Sequence, residues 1–228
     1  GENKPDVIVS TYLCHPAHLN IKRETWECIR VMGIPVVFIW FDLAVPFVAD
    51  IANSFPSDLN VGLDIFDFST KSKFIAMWTP QDTRSYFNNN SVRDIDVCFL
   101  GSISGYNDRL TAIEALRNNG IDVIQMGGQR EQPLPLESYV NVMQRSKITL
   151  SFPRYRSAPH LLQAKGRIFE ATNCGSLFMD ADNRQTKHWF DNGEYVSFVN
   201  NQDLVDKVRY YLKNDVEITA KVAVRLGV

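Results

Sequence analysis

The chain has 228 residues, 45% of them hydrophobic, 22% charged and 11% aromatic, which excludes disorder, collagen and coiled coil as whole-chain descriptions. Its 24 lysines and arginines against 26 aspartates and glutamates leave a formal charge of −2, so global charge does not make it a nonspecific nucleic-acid binder. The length admits two small domains.

Short apolar runs alternate with helical patterns from the start. Asp6–Ser10 reads as a strand, Ile21–Met32 as a helix stopped by Gly33, and Pro35–Trp40 as a parallel strand covered on both faces. Val48–Asn53 reads as a short helix, and Leu63–Phe68 and Phe74–Trp78 as two further strands. Residues 79–94 change character, with Thr79-Pro-Gln-Asp82 and Asn88-Asn-Asn-Ser91, and are the expected linker. A second series follows. Strands are expected at Asp96–Leu100, Ile121–Met126, Ile148–Phe152, Leu177–Met179 and Tyr195–Phe198. Helices are expected at Asn107–Asn118, Leu136–Gln144, His160–Asn173, Gln185–Phe190, Leu204–Leu212 and Val216–Arg225. This rhythm predicts an α/β protein of two Rossmann-like, doubly wound parallel sheets, residues 1–92 and 93–228.

The four cysteines, Cys14, Cys28, Cys98 and Cys174, contain no close pair. Reduced thiols in or near the core are expected, rather than zinc ligands or disulfides. The longest strongly apolar stretch, Ile34–Val48, is broken by Pro35, Asp42 and Pro46, so no transmembrane segment is expected. With no signal-peptide pattern, the chain reads as cytoplasmic, with peripheral membrane contact left open.

In open parallel sheets, ligands bind beyond the carboxyl ends of the strands. The polar residues there in the first series are Ser10 and Thr11, with His15 and His18 nearby, and Asp42. In the second they are Gly101-Ser102, Gly127-Gly128 and Pro153-Arg154-Tyr155-Arg156. The segment Gln163-Ala-Lys-Gly-Arg-Ile-Phe-Glu-Ala-Thr-Asn-Cys-Gly175 carries the strongest signal. Lys165 and Arg167 fall near the N-terminal end of a helix, where cations are unfavourable unless an anion such as phosphate is close. Arg154 and Arg156 stand upstream, so four cations fall within 14 residues. Glu170 lies one turn after Arg167, and its carboxylate suits a ribose diol. The bland alternative is an Arg167–Glu170 surface pair beside a solvated lysine. Arg109 reads as a helix-surface residue. Of two Asp-x-Asp triplets, Asp94-Ile-Asp96 opens a strand, while Asp180-Ala-Asp182 follows one.

From Asp96-Val-Cys-Phe-Leu-Gly-Ser102 through Lys165-Gly-Arg-Ile-Phe-Glu-Ala-Thr-Asn-Cys-Gly175 to Asp203-Leu-Val-Asp-Lys-Val-Arg-Tyr-Tyr-Leu212, the chain resembles the C-terminal half of GT-B glycosyltransferases. It is most similar to the group-1 branch related to CgeB-type proteins. Lys4-Pro-Asp-Val-Ile-Val9 and Gly33-Ile-Pro-Val-Val-Phe-Ile-Trp-Phe-Asp42 resemble the family's N-terminal domain.

The resemblance implies two domains facing a cleft, with a nucleotide-sugar donor on the second. It implies a carbohydrate, lipid or protein acceptor on the first, no bound metal and no cofactor. It implies donor contacts from Lys165, Arg167 and Glu170; Gly101, Ser102 and Gly127 read as further backbone contacts to the donor, and Asp42 and His15, just after strand ends, as candidate bases. Many retaining members carry two glutamates eight positions apart; here Leu162 stands in the first place, so neither stereochemical course follows. A noncatalytic glycan- or partner-binding module and a nucleotide-sugar epimerase are the alternatives. Residues 1–92 are short for such a domain, so an incomplete first sheet is expected.

Overall fold

The computed structural model describes residues 4–11, 21–41, 46–63, 74–128, 133–155, 160–191 and 193–214. The chain forms two compact units, Gly1–Trp78 with Ala158–Ala164 and Thr79–Ser157 with Lys165–Val228.

The first unit contains β1 (Ile8–Thr11), α1 (Arg23–Val31), β2 (Val36–Trp40), α2 (Pro46–Ser54), β3 (Leu59–Gly62) and β4 (Phe74–Ala76). The strands lie in the order β1-β2-β3-β4, every pair parallel. In α1, Glu24 in the first turn and Arg30 in the last complement the helix dipole. The Gly33 amide then closes on the Arg30 carbonyl at 2.8 Å. β2 sends Val36, Phe38 and Trp40 into the core and leaves Val37 and Ile39 half-covered. Full cover on both faces was expected, but Trp26 of α1 and Val48 and Ala52 of α2 all pack into the one cluster with Val36, Phe38 and Trp40. Edge-on aromatic contacts, Trp26–Phe38 at 4.9 Å and Phe38–Phe55 at 4.6 Å, add to that burial.

The third described strand lies at Leu59–Gly62, and residues 64–68 of the strand expected at Leu63–Phe68 fall outside the described residues. Asn60 breaks its apolar pattern. That side chain is buried and accepts hydrogen bonds from Trp40 Nε1 at 2.6 Å and from the Ser57 hydroxyl at 2.9 Å.

The second unit runs β5 (Ile95–Leu100), α3 (Asn107–Asn118), β6 (Val123–Met126), α4 (Leu136–Arg145), β7 (Ser146–Ser151), α5 (Arg167–Asn173), β8 (Leu177–Ala181), α6 (Arg184–Trp189), β9 (Val196–Phe198) and α7 (Asn201–Lys213). Its strands are all parallel, in the order β6-β5-β7-β8-β9. One face packs Val97, Phe99, Ile148, Leu150 and Met179 against α3 and α7. The other packs Ile95, Cys98 and Leu100 against Val140 and Met143 of α4 and Ala171 of α5. This two-sided cover is why these strands read as apolar runs without alternation. Each fully buried side chain such as Phe99 or Leu150 contributes about 2–3 kcal/mol. The strand order reverses at β5, whose neighbours are β6 and β7, so a crevice is expected beyond the carboxyl ends of β5 and β7.

Three expectations are corrected. The helix predicted from His160 begins at Arg167, and residues 160–164 group with the first unit although their spacing is helical. The linker at 79–94 is a strap belonging to the second unit from Thr79 onward. Arg93 holds it there, donating to the carbonyls of Gln144, Ser146 and Cys174 at 2.8–3.1 Å. Cys28 is exposed, while Cys98 and Cys174 are buried as expected. The helix expected at Val216–Arg225, and Cys14, lie outside the described residues.

Candidate functional site

Beyond the carboxyl end of β5, two loops touch through glycines. The Gly101 amide donates to the Met126 carbonyl at 2.7 Å, and Gln125 Nε2 donates to the Gly101 carbonyl at 2.8 Å. A side chain on Gly101 would meet Arg167 Nη2 at 2.5 Å. The missing Cβ therefore admits Arg167, whose Nε donates to the carbonyl of Leu100, the last residue of β5, at 2.6 Å. Its guanidinium carbon lies 4.8 Å from the centre of the Phe99 ring. Among the described residues no carboxylate forms an ion pair with Arg167. A cation fixed by a carbonyl and an aromatic face keeps its terminal nitrogens for an anion.

Arg109 lies close by and is buried rather than on the helix surface. Its Nη1 donates to the Ser102 carbonyl at 2.8 Å, and its guanidinium sits 3.4 Å over the Tyr106 ring. Burial lowers its pKa, and the charge of Arg167 adds to that direction.

Glu170 follows Arg167 by one turn of α5 and is half-buried. The Tyr139 hydroxyl donates to its Oε2 at 2.5 Å. Burial pushes the Glu170 carboxyl up, and the Tyr139 hydrogen bond and the Arg167 charge pull it back in part. Tyr139 itself is raised by burial. Tyr86 of the strap packs edge-on to Tyr139 with centroids 6.5 Å apart, and burial pushes its phenol up to about 12.

Lys165 stands just before α5 with its ammonium 4.4 Å over the Tyr155 ring. Arg154 faces Asp108 at 3.9 Å. The Asp-x-Asp triplets are occupied internally. Asp94 pairs with Arg145 and Asp96 with Lys147. Asp180 is buried and accepts from Thr186 Oγ1 and Asn183 Nδ2, each at 2.6 Å, while Asp182 pairs with Lys187. Burial raises Asp180 to about 6. Among the described residues no group of three or more His, Cys, Asp or Glu side chains is placed to hold a metal ion. No described helix is long and apolar enough to cross a membrane.

Comparison with known proteins adds a family. A model described as glycosyl transferase-like matches residues 93–225, more than half the chain. The chain belongs to this glycosyltransferase-like family. No curated protein sequence matches it. Among solved structures, HepE of Anabaena in complex with UDP and glucose superposes with a TM-score of 0.62 at 14% identity, over 87% of this chain and 67% of that one. Pneumococcal O-GlcNAc transferase GtfA, in complex with UDP and GlcNAc, gives 0.56 at 11% identity, over 89% and 51%. A glycosyltransferase of Rickettsia africae gives 0.57 at 13%, over 96% and 70%. The fold is thus GT-B.

In this glycosyltransferase-like chain the predicted residues Gly101, Ser102, Gly127, Arg167 and Glu170 gather around the β5 and α5 ends, with Gly127 packed on Gly101. Gly101 serves Arg167 directly, and the Ser102 carbonyl serves Arg109. Lys165 stands over the Tyr155 ring. Asp42, His15 and His18 lie outside the described residues. Tyr139, Tyr86 and buried Arg109 were not read as site residues. Tyr139 meets Glu170 and Tyr86 from 31 and 53 positions away, which no local spacing reveals.

Proposed function

We propose that this chain transfers a sugar from a nucleotide-sugar donor to a carbohydrate or glycoconjugate acceptor, without a bound metal. The observation that carries this reading is Arg167. It is fixed at the end of β5, at the reversal of strand order, with no carboxylate partner. In the reaction the bond from the anomeric carbon to the diphosphate breaks, and the acceptor oxygen forms the new glycosidic bond. The leaving diphosphate gains negative charge, which Arg167, helped by Lys165, stabilises. Glu170, an acceptor-only group when ionised, takes the ribose hydroxyls. Asp42 and His15 are the proposed bases for the acceptor proton. The UDP found in HepE and GtfA supports a nucleoside diphosphate as the ligand class.

A thermal-shift panel of UDP-, GDP- and ADP-sugars tests the reading. At least one raises Tm, and Glu170→Ala abolishes the shift while the protein stays folded. No shift with any of them contradicts it. Transfer to an acceptor, followed by product analysis, separates the enzyme from a noncatalytic module or an epimerase.

A further inference from the structure

The strap that precedes β5 and the helix α4 border a cleft of about 580 Å3 that contains none of the donor-binding residues. Ser85, Phe87 and Asn89 line it from the strap, and Glu137, Asn141 and Gln144 from the helix. Both walls belong to the second unit. Helix positions i, i+4 and i+7 share one stripe, which is why these three residues of α4 aim at one place. Phe87 and Asn89 face that stripe, whereas Tyr86 between the strap's wall residues packs on Tyr139.

The cleft is built, not merely left over. Buried Gln144 donates through Nε2 to the Phe87 carbonyl at 2.8 Å, and its Oε1 accepts from Asn89 Nδ2 at 2.9 Å. These bonds fix the strap to α4. The Phe87 ring nevertheless stays 47% exposed, and Leu136, also in the cleft, 52%.

The chemistry of the lining selects a ligand class. Among the described residues no lysine, arginine or histidine lines the cleft, which disfavours an anion, and Glu137 is its single carboxylate, too few for a divalent cation. What remains is a flat ring, two exposed planar polar groups (Asn141 and Glu137) and a hydroxyl (Ser85) around an apolar floor. Neither Glu137 nor Asn141 has a side-chain hydrogen bond or ion pair among the described residues. A carboxamide donates and accepts, and an ionised carboxylate accepts. A sugar ring offers the matching surfaces: a face of C–H groups for the electron-rich face of the phenyl ring, and a rim of hydroxyls for the amide and carboxylate. A few polar groups on an apolar floor, in a volume of this size, is the usual build of a small-ligand site.

We propose that this cleft is a carbohydrate-binding subsite that holds a short stretch of a neutral glycan apart from the donor-binding residues. On the donor-site reading above it anchors an acceptor chain by a unit other than the one that reacts. The binding itself does not depend on that reading.

Backbone-amide NMR of the full chain, titrated with maltohexaose, cellohexaose and chitohexaose without nucleotide, tests this. At least one glycan is expected to shift the amides of Phe87, Asn89 and Asn141. Phe87→Ala and Asn141→Ala are each expected to weaken that glycan about fivefold, the scale of one neutral contact, and Arg167→Ala to leave it unchanged. If Phe87→Ala does not fold, Phe87→Leu takes its place with the same expected loss, because it keeps apolar bulk and removes the flat ring. Absence of shifts with all three glycans overturns the proposal. So do shifts confined to the surroundings of Gly101 and Arg167, or an affinity that survives both the Phe87 and the Asn141 substitutions. A protein that binds a glycan in this cleft but binds no nucleotide sugar sinks the donor-site reading and leaves this subsite standing.

Discussion

At the N-terminal end of β5 and β7, Asp94 meets Arg145 at 2.5 Å and Asp96 meets Lys147 at 2.8 Å. At the C-terminal end of β5, Arg167 and Arg109 meet carbonyl oxygens and aromatic rings. Around β5, therefore, the charges at one end, the closed one, are paired, while at the other, the open one, Arg167 and Arg109 have no carboxylate ion pair among the described residues. Exposed ion pairs contribute little to stability, so the closed end is ordinary protein surface. The open end is costly. Two guanidiniums stand near each other, and burial raises Glu170 and Asp180 while it lowers Arg109. Such a concentration of perturbed groups at a topological switch point is what a charged ligand would relieve.

The largest effect should come from the open end. Arg167→Ala is expected to weaken nucleoside diphosphate binding by roughly 100-fold, the scale of one charge-assisted contact to an anion. Titration calorimetry reads this directly, and retained affinity would break the contrast. Gly101→Ala should act in the same direction, since its Cβ would meet Arg167 at 2.5 Å.

Asp180 gives the next effect, in stability. Its folded pKa of about 6 lies above its ordinary 3.8. Its contribution is thus fully present below about pH 4 and lost as pH rises through about 6, a change of roughly 3 kcal/mol. Urea unfolding from pH 4 to 7.5 should show this slope in the wild-type protein and lose it in Asp180→Asn. Equal slopes would contradict the account.

Glu170→Gln should separate function from stability. Its raised carboxyl penalises the folded protein only once it is ionised. The substitution should therefore raise stability above the folded pKa, leave it nearly unchanged in acid, and weaken nucleotide binding at neutral pH. A stability loss at neutral pH would show that the carboxylate is structural.

The smallest effect belongs to the closed end. Lys147→Ala should cost at most about 1 kcal/mol and leave nucleotide affinity unchanged.

Much of this was legible in the sequence where burial on both faces wrote itself as apolar runs. β5, β7 and β8 are examples, and α3 matched its expected bounds at Asn107–Asn118. Arg167 and Glu170 were legible because their cost at a helix start is local. The rest depends on contacts distant in sequence. Glu170 meets Tyr139 from 31 positions away, and Gly166 meets Gln81 from 85 positions away. Arg109 looked solvated because a helix position does not reveal that Tyr106 and Phe99 will cover it. Residues 160–164 carry a helical spacing that groups with the other unit, so the α5 start was misplaced. Asn60 hid β3 because a buried polar residue inside a strand reads as a turn.

The central claim is that the open charge at the end of β5 exists to hold the donor's diphosphate. Its most direct test is titration of UDP, GDP and ADP into the wild-type protein, Arg167→Ala and Lys147→Ala side by side. The account predicts binding of at least one nucleotide by the wild-type and Lys147→Ala proteins with equal affinity, and its near loss in Arg167→Ala. Equal affinity in all three proteins would contradict it.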